Sequence, residues 1–89
     1  MKPATYLLHF ARPLAHAQHY IGATENLPGR LLAHYKGNGA RLPQVMHQRG
    51  IGVSLARVWY GTHSEVYDLE RFFKRRYKSA RKLCPLCRK

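Results

Sequence analysis

The apolar residues of this chain come in short runs, and nearly every run is closed by a glycine or a proline. Runs of that kind build short strands and short helices packed in layers rather than one long element. Thr5 to Phe10 is short and rich in strand formers, and it ends at Ala11-Arg12-Pro13, where proline breaks a hydrogen-bond ladder. Gln18 to Ala23, with Tyr20 and Ile21 at its centre and Gly22 closing it, reads as a second strand, with Arg12 to Ala17 as the hairpin loop between. Asn26 can cap a helix whose first turn tolerates Pro28. Leu27, Leu31 and Tyr35 then form an apolar stripe, Arg30 and His34 share a different face, and Gly37 supplies the stop. After the loop Lys36 to Gly39, a second short helix is expected over Leu42 to Arg49. Val53, Leu55 and Trp59 alternate with Ser54, Ala56 and Val58, a third strand that Gly61 ends. Thr62-His63-Ser64-Glu65 has the form of a capping box. It predicts a helix from His63 to about Lys78, with Val66, Leu69, Phe73 and Tyr77 as its apolar stripe. The order predicts an α/β fold, a small, mainly antiparallel three-stranded sheet flanked by helices.

At 89 residues the chain is one domain with a thin core. We expect residues 1–80 to form that domain and residues 81–89 to be a basic tail. No run approaches the ~20 apolar residues that a membrane span needs. The first residues carry a positive charge but only a brief apolar stretch, too little for a secretory signal, so the expected location is the cytoplasm and no membrane partner is expected.

Charge narrows the function further. Lys and Arg number 16 against four Asp and Glu, for a formal net charge of +12 and a pI near 10.4. A polyanion is the natural partner, because each neutralised phosphate releases condensed counterions. Charge does not separate a nucleic-acid binder from an enzyme.

The acids are few enough to consider singly. Glu25 precedes one helix and Glu65 and Asp68 lie early in another, where they suit helix dipoles and caps. Glu70 differs, because it projects along the apolar stripe of the last helix. Its ordinary partner is Lys74, one turn on. The alternative is that it holds a hard cation such as Mg²⁺, which takes one or two protein carboxylates plus waters and phosphate oxygens. Tyr6, Tyr20, Arg30 and His34 are further polar candidates, each with an ordinary explanation as a core, edge or surface residue. Cys84 and Cys87, in Cys-Pro-Leu-Cys, are too few for a disulfide framework. They read as a reduced tail pair, as half of a zinc site that needs two further ligands, or as a labile disulfide.

The segment Tyr20-Ile21-Gly22-Ala23-Thr24-Glu25-Asn26-Leu27-Pro28-Gly29-Arg30-Leu31-Leu32-Ala33-His34 resembles the second half of the GIY-YIG nuclease signature. There a YIG-type tripeptide is followed by Thr or Ser, an Asn-Leu pair, an arginine eight residues past the glycine and a His or Tyr four residues later. Ala4-Thr5-Tyr6 corresponds to the first tripeptide, with Ala and Thr in place of its glycine and aliphatic residue and the tyrosine kept. Leu69-Glu70, with Lys74 after it, falls where that family has its metal-binding glutamate. A polar residue that many members carry after the catalytic helix has no counterpart, and Cys84 to Lys89 stands there instead.

The resemblance implies a site made of Tyr6, Tyr20, Arg30, His34 and Glu70 that hydrolyses DNA phosphodiesters with a single Mg²⁺ or Mn²⁺ at Glu70. By the same resemblance Arg30 stabilises transition-state charge, Tyr6 takes the proton of the attacking water with His34 as a relay, Tyr20 orients water or phosphate, and Gly22 permits close packing. Lys36, Arg41, Arg49, Lys74, Arg75 and Arg76 are expected to grip phosphates, which fixes affinity but not sequence. Structure selectivity or a targeting protein then supplies the target. Two other readings stay open: a nucleic-acid-binding module of the same fold with little or no activity, and a ribosome-associated basic protein. The sequence leaves the oligomeric state open.

Overall fold

The computed structural model describes residues 2–14, 17–37, 39–76 and 80–87. Its elements run β1 (Ala4–Leu14), β2 (Ala17–Thr24), α1 (Leu27–Tyr35), α2 (Arg41–Gln48), β3 (Val53–Tyr60) and α3 (His63–Arg76), followed by 3₁₀ turns at Ala80–Leu83 and Pro85–Cys87. The sheet order is β2-β1-β3, both pairings antiparallel, so β1 is the central strand. This is the α/β arrangement of a three-stranded sheet with helices that the element order predicts.

Alternation along β1 builds two cores. Ala4, Tyr6, Leu8 and Phe10 face α1 and α2 and pack with Leu27, Met46 and Ile51. Leu7 points to the other face and packs with Ile21, Phe73, Ala80 and Cys84. A central strand that is covered on both sides explains why Thr5 to Leu8 is an unbroken buried run. On that second face the Thr5 hydroxyl donates to the Val66 carbonyl at 2.6 Å, out of contact with water. In an α-helix the same carbonyl accepts from the N–H four residues on, that of Glu70. The bond therefore ties β1 to the turn of α3 that presents Glu70.

The caps form as the sequence predicts. The Asn26 side chain accepts from the Gly29 N–H at 3.1 Å. Thr62 and Glu65 exchange bonds at the start of α3, at 2.8 and 3.3 Å. Gly37 follows α1 with φ 79°, a left-handed conformation that a side chain would oppose.

Three expectations are corrected. Strand β1 does not end before Pro13: it pairs again at Leu14 with Ala17 after an irregularity. Beyond Phe10 it has outrun β3, so the missing proline N–H breaks no bond to that neighbour. Ala15 and His16, the middle of the expected loop, lie outside the described residues. In β3 the simple alternation fails, because the register slips between Leu7 and Leu8 and Ala56 is the extra residue. Val58, rather than Arg57, thus joins Val53 and Leu55 on the α1 side. In α1, Tyr35 is exposed and His34 is buried, so the inward stripe is Leu27, Leu31, His34. Helix α3 runs to Arg76, and Tyr77 and Lys78 lie outside the described residues. No described helix is long and apolar enough to cross a membrane.

Replacing Thr5 by Val removes the tether at nearly constant shape. The Val66 carbonyl keeps its helical partner, so the cost should be about 1 kcal/mol. Urea unfolding should show a lower midpoint with an unchanged slope, and an unchanged midpoint would mean that the bond contributes nothing.

Candidate active site

Tyr6 on β1 is paired across the ladder with Gly22 on β2. A Cβ at Gly22 would stand 2.5 Å from the Tyr6 hydroxyl and 2.9 Å from the Tyr20 ring. The phenol therefore lies across the backbone of β2, in the space that any side chain there would fill. Gly22 is not one of the described glycines with positive φ, so the demand at this position is for room and not for conformation.

Room at Gly22 brings three rings together. Tyr6, Tyr20 and His34 have centroids 6.2, 5.7 and 5.6 Å apart, in tilted and edge-on arrangements. The Tyr6 hydroxyl is 2.8 Å from His34 Nε2. Tyr6 is 1% exposed, whereas Tyr20 is half-buried and is the phenol that solvent reaches. Burial first, and then the neighbouring Tyr20, push the Tyr6 pKa well above the usual phenol value, with Glu70 adding to the rise and Arg30 opposing it. Burial, seconded by Arg30, lowers the His34 pKa. At neutral pH the pair is thus a neutral phenol and a neutral imidazole, and Tyr6 donates to Nε2 in the tautomer that carries the imidazole proton on Nδ1. Nδ1 is buried without a hydrogen-bond partner among the described residues. It abuts Gly39, where a Cβ would come within 2.2 Å of Nδ1.

Glu70 reaches this cluster from α3. Its side chain is 20% exposed and accepts from Lys74 Nζ at 3.2 Å. The ordinary partner is therefore present, but it is not remote from the phenols: Lys74 Nζ also lies 5.6 Å from the centre of the Tyr20 ring. The other acids are engaged elsewhere, Glu25 with His63 at 3.0 Å, Asp68 with Arg71, and Glu65 in its cap. Arg30 is exposed, one helical turn before His34. It borders a shallow depression of about 230 Å³ lined also by Thr24, Asn26, Gly29 and Ala33. Tyr6, Tyr20 and His34 from β1, β2 and α1 are thus in contact, and Arg30 and Glu70 lie near enough to act on Tyr6 electrostatically.

A family model, the GIY-YIG catalytic domain, matches residues 2–83. The chain belongs to the GIY-YIG family. GIY-YIG domains are nucleases, which makes DNA the natural substrate and a divalent metal the natural cofactor. No curated protein and no solved structure matches the chain significantly. The GIY-YIG match takes in both tyrosines, Arg30, His34 and Glu70, and it runs on to Leu83, into the segment that we expected to be a tail.

The phosphate-gripping candidates are all exposed: Lys36 after α1, Arg41 and Arg49 at the two ends of α2, and Lys74, Arg75 and Arg76 in the last turn of α3. Sequence reasoning offered Cys84 and Cys87 as half of a zinc site but did not find the two histidines that stand beside them. His9 on β1 and His19 on β2 are cross-strand partners, and they meet Cys84 and Cys87 on the face away from Tyr6. Nothing in the spacing of two isolated histidines signals this. Only the antiparallel register makes them neighbours.

The histidine in the site gives a pH signature. Its pKa in the folded chain lies below 6.5, so the unfolded chain binds the proton first as pH falls. The contribution is intact above 6.5 and is lost progressively as pH drops from there through the lowered folded value. Unfolding free energy should therefore fall with acidification more steeply in the wild type than in His34→Gln. Parallel curves for the two proteins would show that His34 is not the group responsible.

Proposed function

We propose that this protein is a DNA endonuclease that hydrolyses phosphodiester bonds at the Tyr6, Tyr20, Arg30, His34 and Glu70 cluster with one divalent cation, Mg²⁺ or Mn²⁺. The reading rests most on the Tyr6 hydroxyl, held 2.8 Å from a neutral His34 Nε2. A buried phenol is a poor base by itself. One that can hand its own proton to an imidazole while it takes another from water is a competent relay.

The donor set fits the cation. Glu70 offers hard carboxylate oxygens in a partly dehydrated position, and the other three acids are occupied elsewhere. Glu70 would hold the ion, with water and phosphate completing the shell. When bound, the ion supplies Lewis-acid stabilisation of the leaving oxygen. The remaining steps belong to this chain's side chains. Tyr20, the solvent-facing phenol, orients the attacking water. The water's oxygen bonds to phosphorus as the bond from phosphorus to the leaving oxygen breaks, the water's proton passes to the Tyr6 oxygen and the Tyr6 proton passes to Nε2, and the leaving oxygen takes its proton from solvent. Arg30 donates to the phosphoryl oxygens as charge builds on them. It also disfavours the imidazolium, so the proton returns quickly.

Lys74 has two tasks in this scheme. In the free protein it neutralises Glu70 and covers Tyr20. On DNA it turns to a phosphate, which releases the carboxylate and opens a path for water to Tyr6. Lys74→Met should therefore raise the affinity of the free protein for Mn²⁺ about two- to fivefold, the range of an exposed ion pair, while weakening DNA binding. Isothermal titration checks both, and unchanged Mn²⁺ affinity would remove Lys74 from the scheme.

A second reading, a binding module of the same fold without activity, draws on the burial of Tyr6. The two diverge in a plasmid-nicking assay with Mg²⁺ or Mn²⁺. The wild type should nick, and Glu70→Ala and Arg30→Ala should each lose about 10²–10³-fold in rate with a far smaller loss in DNA binding. If all three bind and none cuts with either metal, the enzyme reading fails and the binding module stands. A ribosome-associated role predicts no clustering of Tyr6, Tyr20, Arg30 and Glu70, and of these the two phenol rings lie 6.2 Å apart. A place in repair or recombination, and a cytoplasmic location, are part of the same proposal.

A further inference from the structure

His9 Nδ1 is 3.4 Å from His19 Nε2 and 3.5 Å from both the Cys84 and the Cys87 Sγ, and His19 Nε2 is 3.1 Å from the Cys87 Sγ. All four ligand atoms lie within 4.8 Å of one another. Hydrogen bonding does not account for this convergence. An imidazole nitrogen has either one proton or one lone pair, yet His9 Nδ1 faces three heavy atoms at nearly equal range. A common centre does account for it. A tetrahedral zinc ion bonds sulfur at about 2.3 Å and nitrogen at about 2.0–2.1 Å, which spaces neighbouring ligand atoms about 3.3–3.8 Å apart.

We propose that His9, His19, Cys84 and Cys87 form a structural zinc site. The donor set is chemically apt: two thiolates balance the ion's charge, and two imidazoles complete a soft, tetrahedral shell that magnesium would not enter. The ligands come from two places far apart in the chain. The histidines stand opposite each other on β1 and β2. The cysteines flank the last 3₁₀ turn, where the Cys87 N–H donates to the Cys84 carbonyl at 3.3 Å and brings the thiols to one side. With four protein ligands the shell is closed, and no position remains for water or substrate. The site is therefore separate from the reaction metal at Glu70.

Its task is mechanical. Ala80 and Cys84 are buried against Leu7, Ile21 and Phe73, a small apolar cluster for anchoring a chain end. Zinc clamps the C-terminal segment onto the β1–β2 hairpin and so braces the far end of α3, the helix that carries Glu70. The pair that would be a loose tail by sequence is instead the last piece of the domain.

The test is metal content and metal geometry. The untagged full-length protein, expressed with zinc in the medium, should retain one zinc per chain through gel filtration. Cys87→Ser and His19→Gln, both at partly exposed positions, should each lose it, whereas Glu70→Ala should keep it whether or not it cuts DNA. Chelation should lower the melting temperature of the wild type but not of the two ligand variants. Cobalt should give the visible bands of a tetrahedral site together with thiolate charge transfer. If a ligand variant fails to fold, the cobalt spectrum of the wild type decides alone. The proposal is overturned if zinc is not retained, if His19→Gln retains it like the wild type, if the cobalt spectrum is octahedral, or if the two cysteines are recovered as a disulfide from protein prepared in reducing, zinc-containing buffer.

Discussion

The site depends on a side chain that is not there. Because Gly22 has no Cβ, the Tyr6 phenol crosses β2 and places its hydroxyl against His34. Any larger residue would collide with that oxygen at 2.5 Å, and Tyr6 would have to leave the strand edge where Tyr20 and His34 meet it. The strand pairing that sets Tyr6 opposite Gly22 therefore matters as much as either residue.

The central strand serves both faces of the sheet by alternation alone. Tyr6 goes to the α1 side and meets His34 and Tyr20. Thr5 and His9 go to the α3 side, where Thr5 donates to the Val66 carbonyl and His9 joins the four-residue cluster beside the C-terminal turns. Thr5 stands where the family's first tripeptide has an aliphatic residue. The departure carries its own function here, since a hydroxyl at that position fixes the turn of α3 one step before Glu70. Helix α3 is thus held near its start by a hydrogen bond and beyond its end by the packed turns, and Glu70 lies between the two.

Electrostatics sets the working state of the site. In a chain with +12 formal charge, the one acid that faces the phenols is answered by Lys74, and the histidine beside Arg30 is kept neutral. A charged imidazole would compete with an approaching cation, whereas a neutral one can take a proton. The same excess of exposed Lys and Arg attracts a polyanion over long range without reading its sequence.

Much of this was legible in the chain, and the reason is locality. The Asn26 and Thr62–Glu65 caps, the stop at Gly37 and the apolar stripe of α3 involve residues within four positions of each other, so their chemistry is written in adjacent letters. The candidate site was legible for a different reason: its tyrosines, arginine, histidine and glutamate stand at spacings that resemble one nuclease family. What the sequence hid involved a second strand or helix. The slip at Ala56 depends on how β3 lies against β1. The burial of His34 depends on Tyr6, 28 positions away. The continuation of β1 past Pro13 depends on where β3 begins.

By itself, then, the sequence determined the element order, the caps, the charge and the candidates for the site. Tertiary structure decided which groups became partners: Tyr6 with His34 across Gly22, Thr5 with α3, and two histidines of one hairpin with two cysteines 65 or more positions later. Those pairings are made by sheet register and by packing of the chain end. Neither leaves a periodic trace along the sequence, because the residues they join are neighbours only once the sheet has closed.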